Sequence, residues 1–298
     1  MLDHQPATAN FDSANLAKLR EACGQAISNF DVHYAPVIDS TMNLSRWCES
    51  QGIELCDRLC VFAGKQTHGV GQHGRWVSGD NDVKLSLLLP EVKTTAEHAL
   101  INCVAAFAVQ RTLTELARDY AHSLSVPRFE VKLANDVLVS VDGRYRKISG
   151  SLAVGQHDSE MRELLKSRDQ FIFPDKFIVL GIGINLEKGL REAKDPRFEP
   201  IALEDLTGFL IPREIAIGVL LRNLNSFLML ARSQPDIMLN ALKDVLAIGK
   251  DNSVIVVTKS GEEFTARVKG LRPEGLNIDV SSTEKLIPLE NIQRVIPG

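Results

Sequence analysis

The chain has 298 residues, of which 44% are hydrophobic and 24% charged, and its formal charge is −4 at pH 7. This composition excludes intrinsic disorder and allows one large domain, or a large domain with a smaller partner. No uninterrupted apolar run reaches the roughly 18 residues of a membrane span, and the first residues lack a secretory signal, so we expect no membrane contact. The slight acidity also argues against a protein whose main partner is a nucleic acid.

The cysteines predict a reducing, cytoplasmic location. They form an odd set without a CxxC pair, in a chain too long to need disulfides: Cys23, Cys48, Cys56, Cys60 and Cys103. A zinc site that combined Cys56 and Cys60 with His68 and His73 would have a gap between its pairs far shorter than that of a zinc finger. We therefore expect buried thiols and no metal site.

The first half of the chain alternates helical and strand patterns. The order is an amphipathic helix at 14–29, a strand at 33–38 that runs through Asp-Ser-Thr into a helix start, a strand at 58–63, a glycine-rich loop at 69–79 and the strand VKLSLLLP. Thr94 and Glu97 then form a capping box for a long buried helix.

Three strands follow at about 128–154, and the second and third are joined by the turn VDGRYR. The charged stretch after them reads as an insertion or mobile loop. Beyond it come the apolar strand KFIVLGIGINL and helices at about 213–232 and 235–247. From about residue 248 short strands alternate with turns, which predicts a small all-β module behind an α+β domain.

Gly69, Gly71 and Gly74 spell GxGxxG after a strand, the literal fingerprint of a dinucleotide site. That fingerprint requires a helix to follow at once, so that the helix N-terminus faces the pyrophosphate. Here a turn and another strand follow, which argues against a dinucleotide fold. The glycines remain compatible with a flexible hairpin or with close approach of the backbone to an anionic or extended ligand.

Three more segments place polar or glycine residues at strand edges: KLANDV at 132–137, RKISGSL at 146–152 and GIGIN at 181–185. Together with the glycine loop they suggest a single cleft. Its lysines and arginine can neutralise carboxylate and phosphate oxygens, and its amide and carboxylate side chains can hold ribose, metal or an incoming amine. This equipment suits the joining of a carboxylate to a nucleotide.

In their order and spacing these segments resemble the biotin protein ligase family, from about residue 31 to the end of the chain. The resemblance implies an α+β fold, with a mixed-sheet catalytic domain similar to class II aminoacyl-tRNA synthetases and a small SH3-like β-barrel behind it. It predicts an N-terminal helical extension at 1–30, the catalytic domain at 31–247 and the SH3-like domain at 248–298. Because only 38 residues precede Asp39, we expect no DNA-binding domain and no repressor function.

The resemblance also assigns roles to individual residues. The residues it implies for biotin are Ser40, Thr41, Gln66, Gly69, Trp76, Lys147, Gly150 and Gly181. Those implied for ATP and the adenylate are Gly71, Gly74, Arg75, Lys132, Asn135 and Asn185. The catalytic set is Lys147, Asp136, Lys132 and Arg75, with Lys147 holding the reacting carboxylate and later the adenylate phosphate.

Two segments depart from the family pattern. Val70 and Gln72 replace two arginines of the glycine loop, and Leu133 and Ala134 replace a Trp-Pro pair. The second change keeps apolar packing positions. The first removes charge-assisted contacts, each worth about 1.5 to 3 kcal/mol, from a loop that shields the adenylate, so the intermediate is expected to be held less tightly.

The implied reaction uses ATP and Mg2+ to convert biotin to biotinyl-5′-AMP and then transfers biotin to a lysine of the carrier domain of a biotin-dependent carboxylase. It needs charge neutralisation and positioning rather than a protein nucleophile. The resemblance leaves a homodimer open. Two alternatives remain: a ligase for another acyl acid such as lipoate or octanoate, and a non-catalytic homologue that binds biotin or the carrier domain.

Overall fold

The computed structural model describes residues 13–72, 74–120, 126–169, 171–189, 191 and 195–298. Two expectations concern residues outside these ranges. One is that the first residues contain no secretory signal, and the other is that His73 takes no part in a zinc site. Within them the chain forms a large mixed sheet with helices on both faces and a second, antiparallel sheet near the C-terminus. This architecture confirms the predicted α+β class.

The large sheet has seven strands in the order β1-β2-β5-β9-β8-β7-β6. They are β1 Asp31–Ile38, β2 Leu59–Gln66, β5 Val83–Pro90, β6 Phe129–Lys132, β7 Asp136–Val141, β8 Arg144–Val154 and β9 Phe177–Ile184. Only β1 and β2 pair in parallel, and every other pair is antiparallel. Between β2 and β5 lies a small hairpin of β3 Val70–Gly71 and β4 Gly74–Arg75.

Seven α-helices complete the fold: α1 Ser13–Cys23, α2 Leu44–Gln51, α3 Thr95–Tyr120, α4 Ser159–Asp169, α5 Leu203–Thr207, α6 Arg213–Ser233 and α7 Pro235–Lys243, as counted in the described part of the chain. One face of the sheet packs against α3, α6 and α1. Alternate residues of β5 and β9, such as Leu85 and Ile182, point into this core, as the two-residue period of a strand requires.

The other face of the sheet carries two structures side by side. One is an apolar cluster in which α2, α4 and the segment after α4 cover the sheet through residues such as Cys48, Leu165 and Phe173. The other is an open cleft, where the same face is lined by glycines and polar residues. The cleft is thus the part of this face that no helix covers.

The C-terminal sheet has the order β13-β12-β11-β10-β14. Its strands are β10 Ser253–Thr258, β11 Glu263–Arg272, β12 Gly275–Val280, β13 Thr283–Ile287 and β14 Ile292–Pro297. Its inner residues share one apolar core with α7 and one side of α3, and Val295 N donates to Leu133 O at 3.2 Å. The small sheet is therefore packed against the large one, while its SH3-like character and the domain boundaries stay predictions.

Two predicted elements differ from the observed ones. The helix expected at 14–29 ends as an α-helix at Cys23, because Gly24 adopts φ 60° and the chain continues as a 3-10 turn. The charged stretch expected to be an insertion or mobile loop contains α4, which Leu165 and Phe171 anchor in the apolar cluster. The capping box is confirmed: Glu97 N donates to Thr94 Oγ1 at 3.1 Å and Thr94 N to Glu97 Oε2 at 3.2 Å.

All five cysteines are free, and four are buried, with Cys56 partly exposed. Burial raises the pKa of the Cys60 thiol to about 12, so this sulfur is a neutral thiol in the core at neutral pH. Within the described residues one helix, α6, has the length and composition of a membrane span, but half of that stretch is buried in the fold. It lies between α1 and α3 in the core.

Packing across the shared core gives a stability prediction. Leu239 of α7 is fully buried in this core, whereas Ile237 of the same helix is 55% exposed. Leu239→Ala should lower the free energy of unfolding by about 2 to 5 kcal/mol, because it leaves a cavity between the two sheets. Ile237→Ala should change it by less than about 0.5 kcal/mol. Urea unfolding followed by circular dichroism measures both, and equal losses in the two variants would contradict the shared core.

Candidate functional site

A cleft of about 560 Å³ opens on the uncovered part of the large sheet. Its walls come from the glycine hairpin, the segment at 195–200 and strand β14 of the small sheet. All predicted site residues except Ser40 and Gly69 line it: Thr41, Gln66, Gly71, Gly74, Arg75, Trp76, Lys132, Asn135, Asp136, Lys147, Gly150, Gly181 and Asn185. Residues far apart in sequence therefore meet at one place.

Ser40 and Gly69 do not line the cleft, but each accepts a hydrogen bond from a residue that does, Met42 and Trp76 respectively. The Ser40 hydroxyl is buried and accepts a hydrogen bond from Met42 N at 3.3 Å, which holds the turn after β1. Thr41 N in turn donates to Gln66 Oε1 at 2.7 Å. A Cβ at Gly69 would lie 2.5 Å from the carbonyl oxygen of Trp76, so only glycine lets the hairpin close.

The charged centre of the cleft is a carboxylate between two lysines. Lys132 Nζ lies 2.8 Å from Asp136 Oδ2, and Lys147 Nζ lies 2.5 Å from Asp136 Oδ1. The Lys132 side chain is 9% exposed and that of Lys147 is 32% exposed. Lys147 is thus the cation of this centre that is more open to a ligand.

Two opposed effects act on the pKa of Asp136. Burial alone raises it, but the charges of Lys147 and Lys132 and their hydrogen bonds outweigh burial and bring the pKa down to about 2. Asp136 is therefore ionised at neutral pH. The centre as a whole carries a net positive charge, which suits an anionic ligand.

A β-bulge directs Lys147 into this centre. Val137 pairs with Ser149, but the next residue, Leu138, pairs with Lys147, so Ile148 is skipped in the ladder. Beyond the bulge Lys147 N donates to Glu199 O at 2.9 Å. Bulges re-aim a side chain and often lie beside active sites, and this one also ties Lys147 to the segment that forms the cleft wall.

The floor of the cleft is built from glycines of β8 and β9. A Cβ at Gly150 would lie 3.2 Å from Lys147 Nζ, and one at Gly183 would lie 2.6 Å from the indole of Trp76. A Cβ at Gly181 would overlap the Sδ of Met42. Gly181 was predicted to let the backbone approach a ligand, and in the structure its free space is used by Met42, which the sequence analysis did not single out.

The glycine hairpin lies against the loop that carries Asn135. Asn135 Nδ2 donates to Gln72 Oε1 at 3.2 Å and to Ser151 O at 2.7 Å. Gln72 is one of the two hairpin residues that the resemblance implies to stand in place of arginine. A hydrogen bond between two neutral side chains thus connects the hairpin to the Asn135 loop across the cleft. Arg75 of the hairpin donates to Thr67 O at 2.9 Å.

Four residues that line the cleft each have a buried polar atom without a hydrogen-bond partner among the described residues. The atoms are Asn185 Oδ1, Trp76 Nε1, Arg191 Nε and Arg294 Nε. Buried polar groups are normally satisfied, so these four atoms are available to pair with water or with a ligand. Arg191, Arg294, Arg197 and Lys84 were missed in the sequence, because only the fold brings them to the site.

Two of the missed cations are fixed by carboxylates. Arg191 Nη2 lies 2.7 Å from Asp82 Oδ2, and Asp82 also accepts hydrogen bonds from the backbone of Gly79, Leu186 and Glu187. Arg197 forms a two-pronged pair with Asp195, with distances of 2.7 and 2.8 Å. In both cases the guanidinium has one preset position in the cleft wall.

Residues 34–163 match the model of the Biotin/lipoate A/B protein ligase family. This range includes the turn after β1, the glycine hairpin, the Lys132-Asp136 loop and Lys147. The matched range therefore includes the residues that line the cleft from Thr41 to Leu152, and it does not include those of β9, the segment at 195–200 or β14.

Solved structures share the fold at low sequence identity. A biotin protein ligase from Aquifex aeolicus, in complex with biotin and ATP, is 18% identical with a TM-score of 0.65, and the alignment covers 90% of this chain and 99% of that one. A biotin protein ligase from Leishmania major, in complex with biotinyl-5-AMP, is 16% identical with a TM-score of 0.53. That alignment covers 86% of this chain and 98% of the Leishmania protein.

A biotin protein ligase-like protein of unknown function from Silicibacter sp. gives 14% identity, a TM-score of 0.57, and coverage of 88% and 95%. These likenesses extend over both sheets of the chain. Residues 34–163 are thus similar to the biotin/lipoate A/B protein ligase family, and the chain as a whole has a fold like that of the biotin protein ligases.

Proposed function

We propose that this protein attaches biotin to a lysine of a biotin carrier domain in an ATP-dependent reaction that passes through biotinyl-5′-AMP. The observation that carries the proposal is the convergence of Lys132 and Lys147 on buried Asp136 beside a glycine floor. The family domain and the fold shared with ligases that bind biotin and ATP support it. Biotin and ATP are substrates here.

In the first step an oxygen of the biotin carboxylate attacks the α-phosphorus of ATP, and pyrophosphate leaves. Two anions must approach each other, so the main requirement is a fixed positive charge at the reacting atoms. Lys147 meets this requirement because it is the more open cation of the centre, and Gly150 keeps the backbone beside it unobstructed. Lys132 adds a second, more deeply buried charge.

In the second step a lysine amine of the carrier attacks the acyl carbon of the mixed anhydride, and AMP leaves. A general base works best when its pKa lies near the working pH. The pKa of Asp136, near 2, makes it a poor base. We assign Asp136 the task of orienting the two lysines, and its charge also offers an electrostatic guide for the incoming ammonium group.

Mg2+ would neutralise phosphate charge on ATP when bound. It usually keeps several waters and takes only one or two protein oxygens besides the phosphates. The orphan Oδ1 of buried Asn185 suits such a ligand. Arg294 supplies positive charge in the cleft wall for the polyphosphate, and Arg191 and Arg197, whose charges are offset by Asp82 and Asp195, supply N–H donors there.

The proposed partner is the carrier domain of a biotin-dependent carboxylase, in a cytoplasmic setting, with no nucleic-acid or membrane partner. A ligase for lipoate or octanoate is the second candidate, because the family that matches the chain includes lipoate ligases. A non-catalytic homologue is the third, because Val70 and Gln72 stand in the glycine hairpin where the family pattern has arginines.

Biotin-dependent exchange of labelled pyrophosphate into ATP tests the proposal, with lipoate and octanoate as parallel acids. This assay isolates the first step from the choice of carrier. Exchange with biotin alone supports the proposal, and exchange with lipoate or octanoate alone supports the second candidate. No exchange with any acid, from folded protein that binds biotin, would favour the non-catalytic homologue.

Removal of the Lys147 charge should abolish the first step. Lys147→Ala is expected to reduce the exchange rate at least 100-fold, the usual range for loss of one preset charge-stabilising group. Arg144→Ala is the matched control, since Arg144 lies exposed on the same strand outside the cleft. Normal exchange by Lys147→Ala would remove Lys147 from the assigned role.

The lysine-bound carboxylate should also make stability depend on pH. The pKa of Asp136 falls from its ordinary 3.8 to about 2 on folding, so its contribution is complete above pH 4 and disappears as the pH falls towards 2. Asp136→Asn should therefore be less stable than the wild type by about 2 kcal/mol at pH 6, and the difference should shrink below pH 4.

Urea unfolding at a series of pH values measures this difference. Asp142→Asn is the control, because Asp142 is exposed in the turn after β7, where φ is 52° and asparagine is well tolerated. A constant difference between the wild type and Asp136→Asn from pH 6 down to pH 2 would show that the carboxylate is not held by the lysines.

A further inference from the structure

The cleft has an apolar end that the predicted site residues do not account for. Met42, Val70 and Leu152 line it, and all three also pack in the apolar cluster under α2 and α4. Leu152 lies five positions after Lys147 on β8, a rise of about 16 Å. An extended acid whose carboxylate is held by Lys147 would point its other end towards these side chains.

Met42 is the member of this group that lies across the floor. Its side chain is buried, and its Sδ occupies the space that a Cβ would take at Gly181. The Ser86 hydroxyl donates to Sδ at 3.7 Å. Since Ser86 and Gly181 are paired in the ladder between β5 and β9, Met42 covers the two central strands at one level.

The backbone of Met42 is fixed while its side chain is adaptable. Met42 N donates to the buried Ser40 hydroxyl, and the preceding Thr41 N is held by Gln66. Methionine has three rotatable side-chain bonds and fills irregular space. The turn therefore fixes where the Met42 side chain starts, and the conformation of that side chain determines how far it extends over the floor of the cleft.

We infer that Met42 is a specificity-determining residue, the stop that limits how long an acid the cleft accepts. This inference rests on the proposed function and adds the determinant of substrate length. Two residues further along the strands from Ser86 and Gly181, the paired Leu88 and Val179 are fully buried in the same apolar cluster, and such close-packed residues do not yield to a ligand. Met42→Ala removes three side-chain atoms and extends the cleft in that direction, while Met42→Leu nearly conserves the volume.

Pyrophosphate exchange with biotin and with homologues that have one or two extra methylenes in the side chain tests the inference. In the wild type each added methylene pushes the ring system against Met42, and kcat/KM should fall at least tenfold. Met42→Ala should raise the ratio of kcat/KM for the longer homologue to that for biotin by at least tenfold. Met42→Leu should keep the wild-type ratio, and the KM for ATP should be unchanged in both variants.

Leu44→Ala is the matched control. Leu44 is fully buried in the same apolar cluster, close to Met42 in sequence, but it does not line the cleft. It should lower the melting temperature yet keep the wild-type preference among the acids. A wild-type preference in Met42→Ala, or the same shift in Leu44→Ala, would overturn the role of Met42. Absence of exchange with biotin in the wild type would instead refute the proposed function, and the inference with it.

Discussion

The site depends on how a buried carboxylate holds two lysines in place. Asp136 neutralises part of the charge of Lys132 and Lys147, so that both ammonium groups can lie close together in a partly desolvated cleft. Without it the two lysines would repel each other and turn to solvent. The strands carry this constraint: β6 and β7 bring Lys132 beside Asp136, and the bulge in β8 turns Lys147 towards them. The register of three neighbouring strands therefore sets the electrostatics of the cleft.

The rest of the cleft is shaped by the absence of side chains at its glycines. Gly183 admits the indole of Trp76 and Gly181 admits the thioether of Met42, so two side chains lie flat on the strands where a Cβ would push them away. A depression forms beside them, with Gly150 left open next to the lysines. The same face of the sheet is filled under α2 and α4, and the boundary between the filled and open parts is where Met42 lies. The apolar cluster that holds α4 on the sheet therefore also contains Met42, the residue inferred to limit the length of the acid.

The small C-terminal sheet takes part in both stability and the site. Its inner residues share a core with α3 and α7, and β14 places Arg294 in the cleft wall with its Nε unpaired. Because packing fixes the backbone of β14, Arg294 loses little backbone conformational entropy when it binds an anion, and this favours binding. The hairpin on the other side is held by the contact between Gln72 and Asn135. The cleft is therefore bounded by elements from both sheets and from the hairpin.

The sequence by itself determined the strands and helices with strong periodicity, the capping box of α3, and the polar residues that meet in the cleft, because residue period and residue chemistry are local properties. It also argued against a dinucleotide site, since a strand and not a helix follows the glycines. Tertiary structure decided where the charged stretch before β9 lies: its residues have good helix propensity, but a helix this short needs packing, which Leu165 and the following Phe171 provide in the apolar cluster. It likewise decided that Arg191, Arg294 and Met42 reach the cleft, because no local pattern records which distant segments a sheet brings together.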